Sequence, residues 1–173
     1  MSAAGGEPVE EVDAAGRALR VVTRAEMRSS NLLHRAVYVL VVSLDGRRLL
    51  VHRRADWKDV WPGRWDVCFG GVAGAGEPPA VTARRELAEE AGLAHVPLER
   101  LGAGAFADGD VRVLGEVFLA RSGGPFAFAD GEVVETAWVP VTALEAWLAV
   151  GRPVCPDSVA IALPLLTARG QSA

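Results

Sequence analysis

Residues 70–93 read GGVAGAGEPPAVTARRELAEEAGL, and this stretch organises the rest of the chain. Pro78 suits the first turn of a helix, because its missing N–H costs no hydrogen bond there. Gly92 suits the end of that helix, where a residue without a side chain easily adopts the left-handed conformation. The stretch therefore predicts a glycine-rich loop followed by one short helix.

Two faces of this helix differ in chemistry. At about 100° of rotation per residue, small and aliphatic residues form one narrow stripe: Ala80, Ala83, Leu87 and Ala91. Glu86, Glu89 and Glu90 are neighbours on an adjoining face, because they are spaced i, i+3 and i+4. Crowded carboxylates repel one another unless a cation lies among them, so they indicate a site for Mg²⁺ or Mn²⁺. The alternative is a solvated face on which Arg85 and Glu89 form a weak pair.

The order and spacing of the fixed residues resemble the signature box of the Nudix hydrolases, without a gap or a substitution: Gly71, Glu77, Arg85, Glu86, Leu87, Glu89, Glu90, Gly92 and Leu93. The resemblance implies an α+β fold, the Nudix α/β/α sandwich, in which a mixed β-sheet carries helices on both faces. It also implies a set of metal ligands: Glu86, Glu89, Glu90 and the carbonyl of Gly70. Gly71 and Glu77 would support the site.

A diphosphate linkage resists water because its negative oxygens repel an incoming nucleophile. A bound cation neutralises that charge and lowers the pKa of bound water, and a carboxylate takes the proton. The resemblance implies catalytic roles for Glu86, Glu89 and Arg85, and it leaves open which carboxylate is the general base. The expected activity is metal-dependent hydrolysis of a diphosphate in a nucleoside diphosphate derivative or a similar small organic diphosphate.

The flanking sequence resembles a narrower branch, the Nudix proteins related to isopentenyl-diphosphate isomerase, at residues 33–37, 49–54, 58 and 61–63. This resemblance implies that Arg54 and Lys58 hold the substrate diphosphate. Their alternatives are a solvated strand end and a loop charge. Isomerisation itself is the runner-up, because the positions of its acid–base cysteine and glutamate hold Gly70 and Val113. A further alternative is a module that binds its ligand without turnover.

The identity of any metal ligand outside the box stays open among four residues: Glu116, Glu132, Glu135 and His34. Glu116 shares a strand face with Leu114 and Phe118, which permits an inward orientation but equally suits an edge-strand charge. His34 suits either a metal ligand or a structural hydrogen bond. His52 and His95 belong to no constellation, so we interpret them as structural.

The composition excludes several classes of function. The formal net charge of -4 gives no attraction for nucleic acid polymers or anionic membranes. The longest apolar run, residues 36–42, is far shorter than the roughly 20 residues of a membrane span. The N-terminus has no basic start followed by an apolar segment, so it does not suit a secretory signal. Cys68 and Cys155 form no CxxC pair or disulfide framework, so we expect a cytoplasmic protein with reduced thiols.

The chain of 173 residues suggests one domain. We expect a disordered N-terminus at residues 1–8 and a single domain over residues 9–173, present as a monomer or a homodimer. The pattern predicts a hairpin at residues 11–22, a helical turn capped by Thr23, and strands at residues 34–43, 48–53, 98–106, 111–120 and 133–139. Two helices follow at residues 142–150 and 156–168, the second with Asp157 as a candidate cap.

Overall fold

The computed structural model describes residues 3–170. Eight strands are present in it: β1 (Pro8–Val12), β2 (Ala18–Thr23), β3 (His34–Val42), β4 (Arg48–Arg54), β5 (Trp65–Asp66), β6 (Leu98–Ala107), β7 (Arg112–Arg121) and β8 (Val133–Pro140). Four α-helices accompany them: α1 (Arg24–Ser29), α2 (Pro79–Ala91), α3 (Leu144–Ala149) and α4 (Pro156–Gly170). Short 3₁₀ helices form at Ala3–Gly6 and Val141–Ala143.

The strands form one mixed sheet that opens into two wings. β3 and β4 pair in register only at Val42 and Leu49, close to the turn that joins them. Beyond that point β3 runs parallel to β7, which pairs in turn with β6. β4 instead pairs antiparallel with β8 and β5. The gap between β3 and β4 is the feature that positions the candidate site.

Side chains alternate between the two faces of β3, and each face is covered by a different helix. Val37 and Val39 pack in one buried cluster with Ala83 and Leu87 of α2. Tyr38 belongs to a second cluster, which also holds Ile161, Ala162 and Leu166 of α4. The predicted α+β architecture, a mixed sheet with helices on both faces, is therefore confirmed.

The ends and the buried face of α2 agree with those that its sequence predicts. It begins after Pro78 and ends at Gly92, which has the left-handed φ of 72° that its position requires. Three of the four residues in the predicted apolar stripe are buried and the fourth, Ala80, packs against the same cluster. Because this stripe anchors α2 to the sheet, the glutamate face is directed towards the gap between β3 and β4.

The N-terminal segment forms an additional unit on the sheet. β1 and β2 pair as a hairpin, and the hydroxyl of Thr23 accepts a hydrogen bond from the N–H of Glu26 at 3.1 Å, which caps α1 as predicted. The predicted disorder of residues 1–8 differs from the structure where it is described, because residues 3–6 form a 3₁₀ helix and β1 begins at Pro8. Residues 1 and 2 lie outside the described range, as do residues 171–173 of the predicted single domain.

Candidate active site

In the loop before α2, the backbone carbonyl of Gly70 has no backbone donor among the described residues. The N–H groups of Val37 and Val39 donate to the carbonyls of Gly71 and Phe69, at 3.0 and 2.7 Å. Gly70 lies between them with a φ of 147°, and a Cβ there would collide with the carbonyl of Val37. In the described part of the chain, no backbone N–H donates to the Gly70 carbonyl. The conformation that only glycine tolerates therefore leaves a free oxygen beside the acidic helix.

Two glutamates of α2 pack directly against this loop. Glu90 is only 7% exposed, and its Oε2 accepts a hydrogen bond from the N–H of Gly70 at 3.0 Å. A Cβ on Gly71 would lie 2.7 Å from Oε2 of Glu86, so the space of the missing side chain is occupied by that carboxylate. Burial raises the pKa of Glu86, and burial followed by repulsion from Glu86 raises the pKa of Glu90. In both glutamates the main cause is burial, which disfavours the charged form of the carboxylate.

Arg85 ties the acidic face of α2 to the loop that precedes it. Its Nε and Nη2 donate to the two oxygens of Glu77, at 3.1 and 2.9 Å, and its Nη1 donates to Oε1 of Glu86 at 2.6 Å. The same Nη1 lies 3.4 Å from Oε2 of Glu89. The hydrogen bonds from Arg85, although opposed by burial, lower the pKa of Glu77 to about 2. The arginine therefore fixes the position of Glu86 and of the loop together.

One of the candidate ligands outside the box, Glu132, joins this group. Its carboxylate forms an ion pair with Lys58, and the backbone carbonyl of Glu132 accepts a hydrogen bond from the N–H of Ala55 at 2.8 Å. Burial opposes the effect, but hydrogen bonding to Lys58, with a contribution from Glu90, lowers the pKa of Glu132. Glu90 and Glu132 are therefore close enough to interact, although they are distant in sequence.

The other three candidates lie in different surroundings. Glu116 accepts a hydrogen bond from Nε of Arg100 at 2.8 Å, and Glu135 accepts one from Arg53 at 3.4 Å on an exposed part of the sheet. Neither carboxylate lines the cavity between β3 and β4. His34 does line it, but the ring is buried and its Nδ1 lies 2.9 Å from the carbonyl of Leu32. The structure therefore brings Glu132 and His34 to the site, and places Glu116 and Glu135 elsewhere.

This cavity has a volume of about 250 Å³. It is lined by the glutamates of α2 and by Glu132, and also by residues of the buried cluster on the α4 side of the sheet. Arg54 and Lys58 line it between β4 and β5, as the predicted role in diphosphate binding requires. The Nη2 of Arg54 donates to the carbonyl of Val60 at 3.1 Å, and its Nη1 lies 3.5 Å from Asp66.

Sequence reasoning missed several polar residues of this cavity: Arg24, Arg28, Tyr38, Asp66, Asp130 and Asp157. Arg24 and Arg28 come from α1, Tyr38 from β3 and Asp157 from the first turn of α4. The predicted strand and helices contained Arg24, Arg28, Tyr38 and Asp157. No local pattern indicates that the two wings of the sheet separate, so that these side chains line one cavity. The one local pattern that pointed to a charged site here was the pair of arginines at i and i+4 on α1, Arg24 and Arg28.

The residues of the acidic face fit a hard divalent cation, although a complete site is not preformed. Among residues 3–170, no three His, Cys, Asp or Glu side chains are already clustered closely enough to hold a metal ion. The donors nevertheless include two partly compensated carboxylates, Glu86 and Glu90, and the free carbonyl of Gly70. Glu89 lies 3.4 Å from Arg85, but its side chain is 58% exposed and can turn towards them. Oxygen donors of this kind suit Mg²⁺ or Mn²⁺.

The glycine loop and the acidic helix belong to a domain that is known in other proteins. Residues 32–156 match the family model described as the NUDIX domain. The Nudix hydrolase YfcD of Escherichia coli K12 is 40% identical over 133 residues, which cover 77% of this chain and 73% of that protein. The Nudix hydrolase PA4841 of Pseudomonas aeruginosa is 37% identical over 159 residues, or 91% and 92% of the two chains. The chain belongs to the Nudix family.

Solved structures show the same fold at low sequence identity. DR0079 from Deinococcus radiodurans superposes with a TM-score of 0.75 at 20% identity, covering 94% of this chain and 98% of that one. The NUDIX domain of NrtR from Shewanella oneidensis, solved in complex with ADP ribose, gives a TM-score of 0.63 at 18% identity and covers 88% and 100%. Within residues 3–170, no helix has the length and apolar composition needed to span a membrane.

Proposed function

We propose that this Nudix hydrolase cleaves the diphosphate linkage of a small organic diphosphate, such as a nucleoside diphosphate derivative, with Mg²⁺ or Mn²⁺ as cofactor. The observation that carries the proposal is the packing of Glu86 and Glu90 against Gly71 and Gly70. Buried carboxylates that face one free carbonyl are costly to maintain unless a cation uses them. A structural role for α2 needs only its apolar stripe, not these carboxylates.

The proposed metal ligands are Glu86, Glu89, Glu90 and the carbonyl of Gly70. A bound divalent ion would neutralise charge on the diphosphate and lower the pKa of a bound water. Glu132 is our preferred candidate for an additional acidic group, because its pKa is lowered by Lys58 and it lies beside Glu90. Arg85 is proposed as a positioning residue, since it holds Glu86 through a 2.6 Å hydrogen bond.

The positive residues of the cavity suit the substrate phosphates. Lys58 is only 10% exposed at its side chain and Arg54 only 15%, so the charge of each is directed into the protein rather than into solvent. Arg54 retains an Nε without a hydrogen-bond partner in the described residues. We propose that both bind the diphosphate of the substrate, and that the general base is a carboxylate of the Glu86, Glu89 and Glu132 group.

A hydrolysis screen tests the proposal. The panel contains nucleotide sugars, dinucleoside polyphosphates, nucleoside triphosphates and prenyl diphosphates, each with Mg²⁺, with Mn²⁺ or with a chelator, and the products are identified. The Glu90→Gln variant is compared with Glu116→Gln, because the new amide retains an oxygen for the Gly70 N–H and Glu116 lies outside the cavity. We expect wild type to release a phosphate product only when metal is present. Glu90→Gln should release it more slowly, and Glu116→Gln at the rate of wild type. Equal turnover of Glu90→Gln and wild type contradicts the assignment.

A further inference from the structure

Two arginines of α1 line the cavity, although this helix lies outside the region that matches the family. The family model begins at residue 32, whereas Arg24 and Arg28 precede it. Both side chains line the cavity between β3 and β4. They are spaced i, i+4, so they are neighbours on one face of the helix. The N-terminal unit therefore adds a pair of positive charges to a cavity whose other basic residues belong to the matched domain.

Both guanidinium groups are accessible and only loosely paired. Each side chain is 22% exposed. Nη1 of Arg24 lies 3.3 Å from Oε2 of Glu7. Nε of Arg28 lies 3.5 Å from Oδ2 of Asp59 and has no hydrogen-bond partner among the described residues. The side chains of Glu7 and Asp59 are about half exposed, and such ion pairs contribute little stability. An anionic ligand can therefore replace these carboxylates at small cost.

The positive charge of Arg28 is incompletely neutralised. Burial lowers the pKa of Arg28, and the opposing attraction of Asp59 does not restore it. Repulsion from Arg24 lowers this pKa further. A second negative group beside the two arginines would stabilise the charged form of both.

The carboxylate of Asp59, in the loop between β4 and β5, lies among two basic pairs. Burial opposes the effect, but the charges of Arg28 and Arg24 lower the pKa of Asp59. The charges of Lys58 and Arg54, which we propose as ligands of the diphosphate, act on the same carboxylate. The α1 pair and the diphosphate pair are therefore close together in space. A phosphate group bound by the α1 pair would lie next to a diphosphate bound by the other pair.

We propose that Arg24 and Arg28 bind a third phosphate group, and that the substrate therefore carries a chain of three or more phosphates, as in a nucleoside triphosphate or a dinucleoside polyphosphate. The inference rests on the proposed function, because the third phosphate is placed relative to a diphosphate bound by Arg54 and Lys58. This phosphate replaces Asp59 beside Arg28, and the half-exposed Asp59 turns towards solvent. Substrates with two phosphates, such as nucleotide sugars, leave the α1 pair unused and bind more weakly.

The test measures the dissociation constants of inorganic pyrophosphate and inorganic tripolyphosphate by calorimetry, with a chelator present so that neither is hydrolysed. The proteins are wild type, Arg28→Gln and the control Arg17→Gln. The control removes an equal charge from the same N-terminal unit, but the side chain of Arg17 is 81% exposed and lies outside the cavity. We expect wild type and the control to bind tripolyphosphate more tightly than pyrophosphate by about tenfold or more, and Arg28→Gln to lose most of this gain. An equal gain in Arg28→Gln and wild type overturns the proposal, as does the absence of a gain in wild type.

A second variant keeps the test decisive if Arg28→Gln does not fold. Asp59→Asn removes the carboxylate that competes with the third phosphate, so the gain from pyrophosphate to tripolyphosphate is expected to rise severalfold. Asp56→Asn is the control, because Asp56 is in the same loop, is 87% exposed and lies outside the cavity. If Arg28 only anchors α1, Asp59→Asn leaves the gain unchanged, and this result contradicts the proposal.

The failure of this inference is distinguishable from the failure of the proposed function, because binding is measured without turnover. A protein that shows the gain but hydrolyses nothing refutes the proposed function and leaves the third phosphate site supported. In the hydrolysis screen, we expect a higher kcat/KM for nucleoside triphosphates or dinucleoside polyphosphates than for nucleotide sugars. Metal-dependent hydrolysis that favours nucleotide sugars supports the proposed function and overturns the third phosphate site.

Discussion

The guanidinium of Arg85 holds the carboxylate of Glu77 through two hydrogen bonds, from Nε at 3.1 Å and from Nη2 at 2.9 Å. Glu77 in turn accepts hydrogen bonds from the N–H of Gly74 and the hydroxyl of Thr82. The remaining Nη1 of Arg85 reaches Glu86. One planar side chain therefore connects the loop, the start of α2 and the proposed metal ligands.

Replacement of Arg85 by lysine tests this connection. Lysine keeps the charge but lacks the fork that binds two carboxylates at once, so Glu86 loses its fixed position. We expect kcat to fall by about 10–100-fold, as for other residues that orient metal ligands, with a smaller effect on folding. Arg84→Lys is the matched control, since Arg84 is exposed on the same helix. Steady-state kinetics in which both variants behave alike would exclude a positioning role.

Gly71→Ala tests the fit between the loop and the acidic helix. The added methyl would lie 2.7 Å from Oε2 of Glu86, and the flexible carboxylate must move away. Since a displacement of about 1 Å can reduce a rate by about 100-fold, we expect a folded protein with strongly reduced turnover. Gly109→Ala is the control, because nothing lies within 4 Å of its added Cβ. Normal activity of Gly71→Ala would show that Glu86 needs no fixed position.

Lys58→Gln tests the contribution of the only lysine in the chain to substrate binding. Loss of its charge weakens the attraction for the diphosphate, and we expect KM to rise by about tenfold, equivalent to about 1.4 kcal/mol. Arg53→Gln is the control, because Arg53 pairs with Glu135 away from the cavity. An unchanged KM for Lys58→Gln would show that Lys58 pairs with Glu132 and does not bind the substrate diphosphate.

His52 makes the fold sensitive to acid. Burial lowers the pKa of His52 from 6.5 to about 4, so between these values the unfolded chain binds a proton that the folded protein does not. Stability is therefore full above pH 6.5 and falls as the pH decreases towards 4, by about 3 kcal/mol for one such histidine. Urea unfolding of His52→Asn should show a shallower decline than that of wild type.

The control substitution is His95→Asn, because His95 is exposed, and its urea unfolding is measured at the same pH values. His34 is also buried, and burial lowers its pKa to about 4, so the decline in His52→Asn is expected to be reduced but not removed. Identical pH dependence of wild type and His52→Asn would contradict the prediction.

The local features of the fold were predictable from the sequence. Local geometry alone fixes the ends of α2, through the proline at position 78 and the glycine at position 92. It also fixes the buried face of the helix, through the apolar stripe. The start of α1 was predictable in the same way, because the hydroxyl of Thr23 caps it. Such features depend on neighbours within one or two turns, and the sequence shows those neighbours directly.

The composition of the cavity was less predictable, because it depends on contacts between distant segments. Glu132 was one of three equivalent carboxylates in the sequence, and only the pairing of β4 with β8 brings it to Lys58 and Glu90. Asp157 suited a helix cap, and its contact with Tyr38 depends on the packing of α4 against β3. Neither relationship has a periodicity that a single sequence could show.

The proposed function depends most on the binding of a divalent cation by Glu86, Glu89 and Glu90 beside Gly70. Anomalous diffraction from crystals soaked in Mn²⁺ tests this binding most directly, because manganese is located independently of the protein density. We predict an anomalous peak within about 2.5 Å of carboxylate oxygens from this group and of the Gly70 carbonyl. A well-ordered crystal with no peak there, and with the three side chains turned towards solvent, would contradict it.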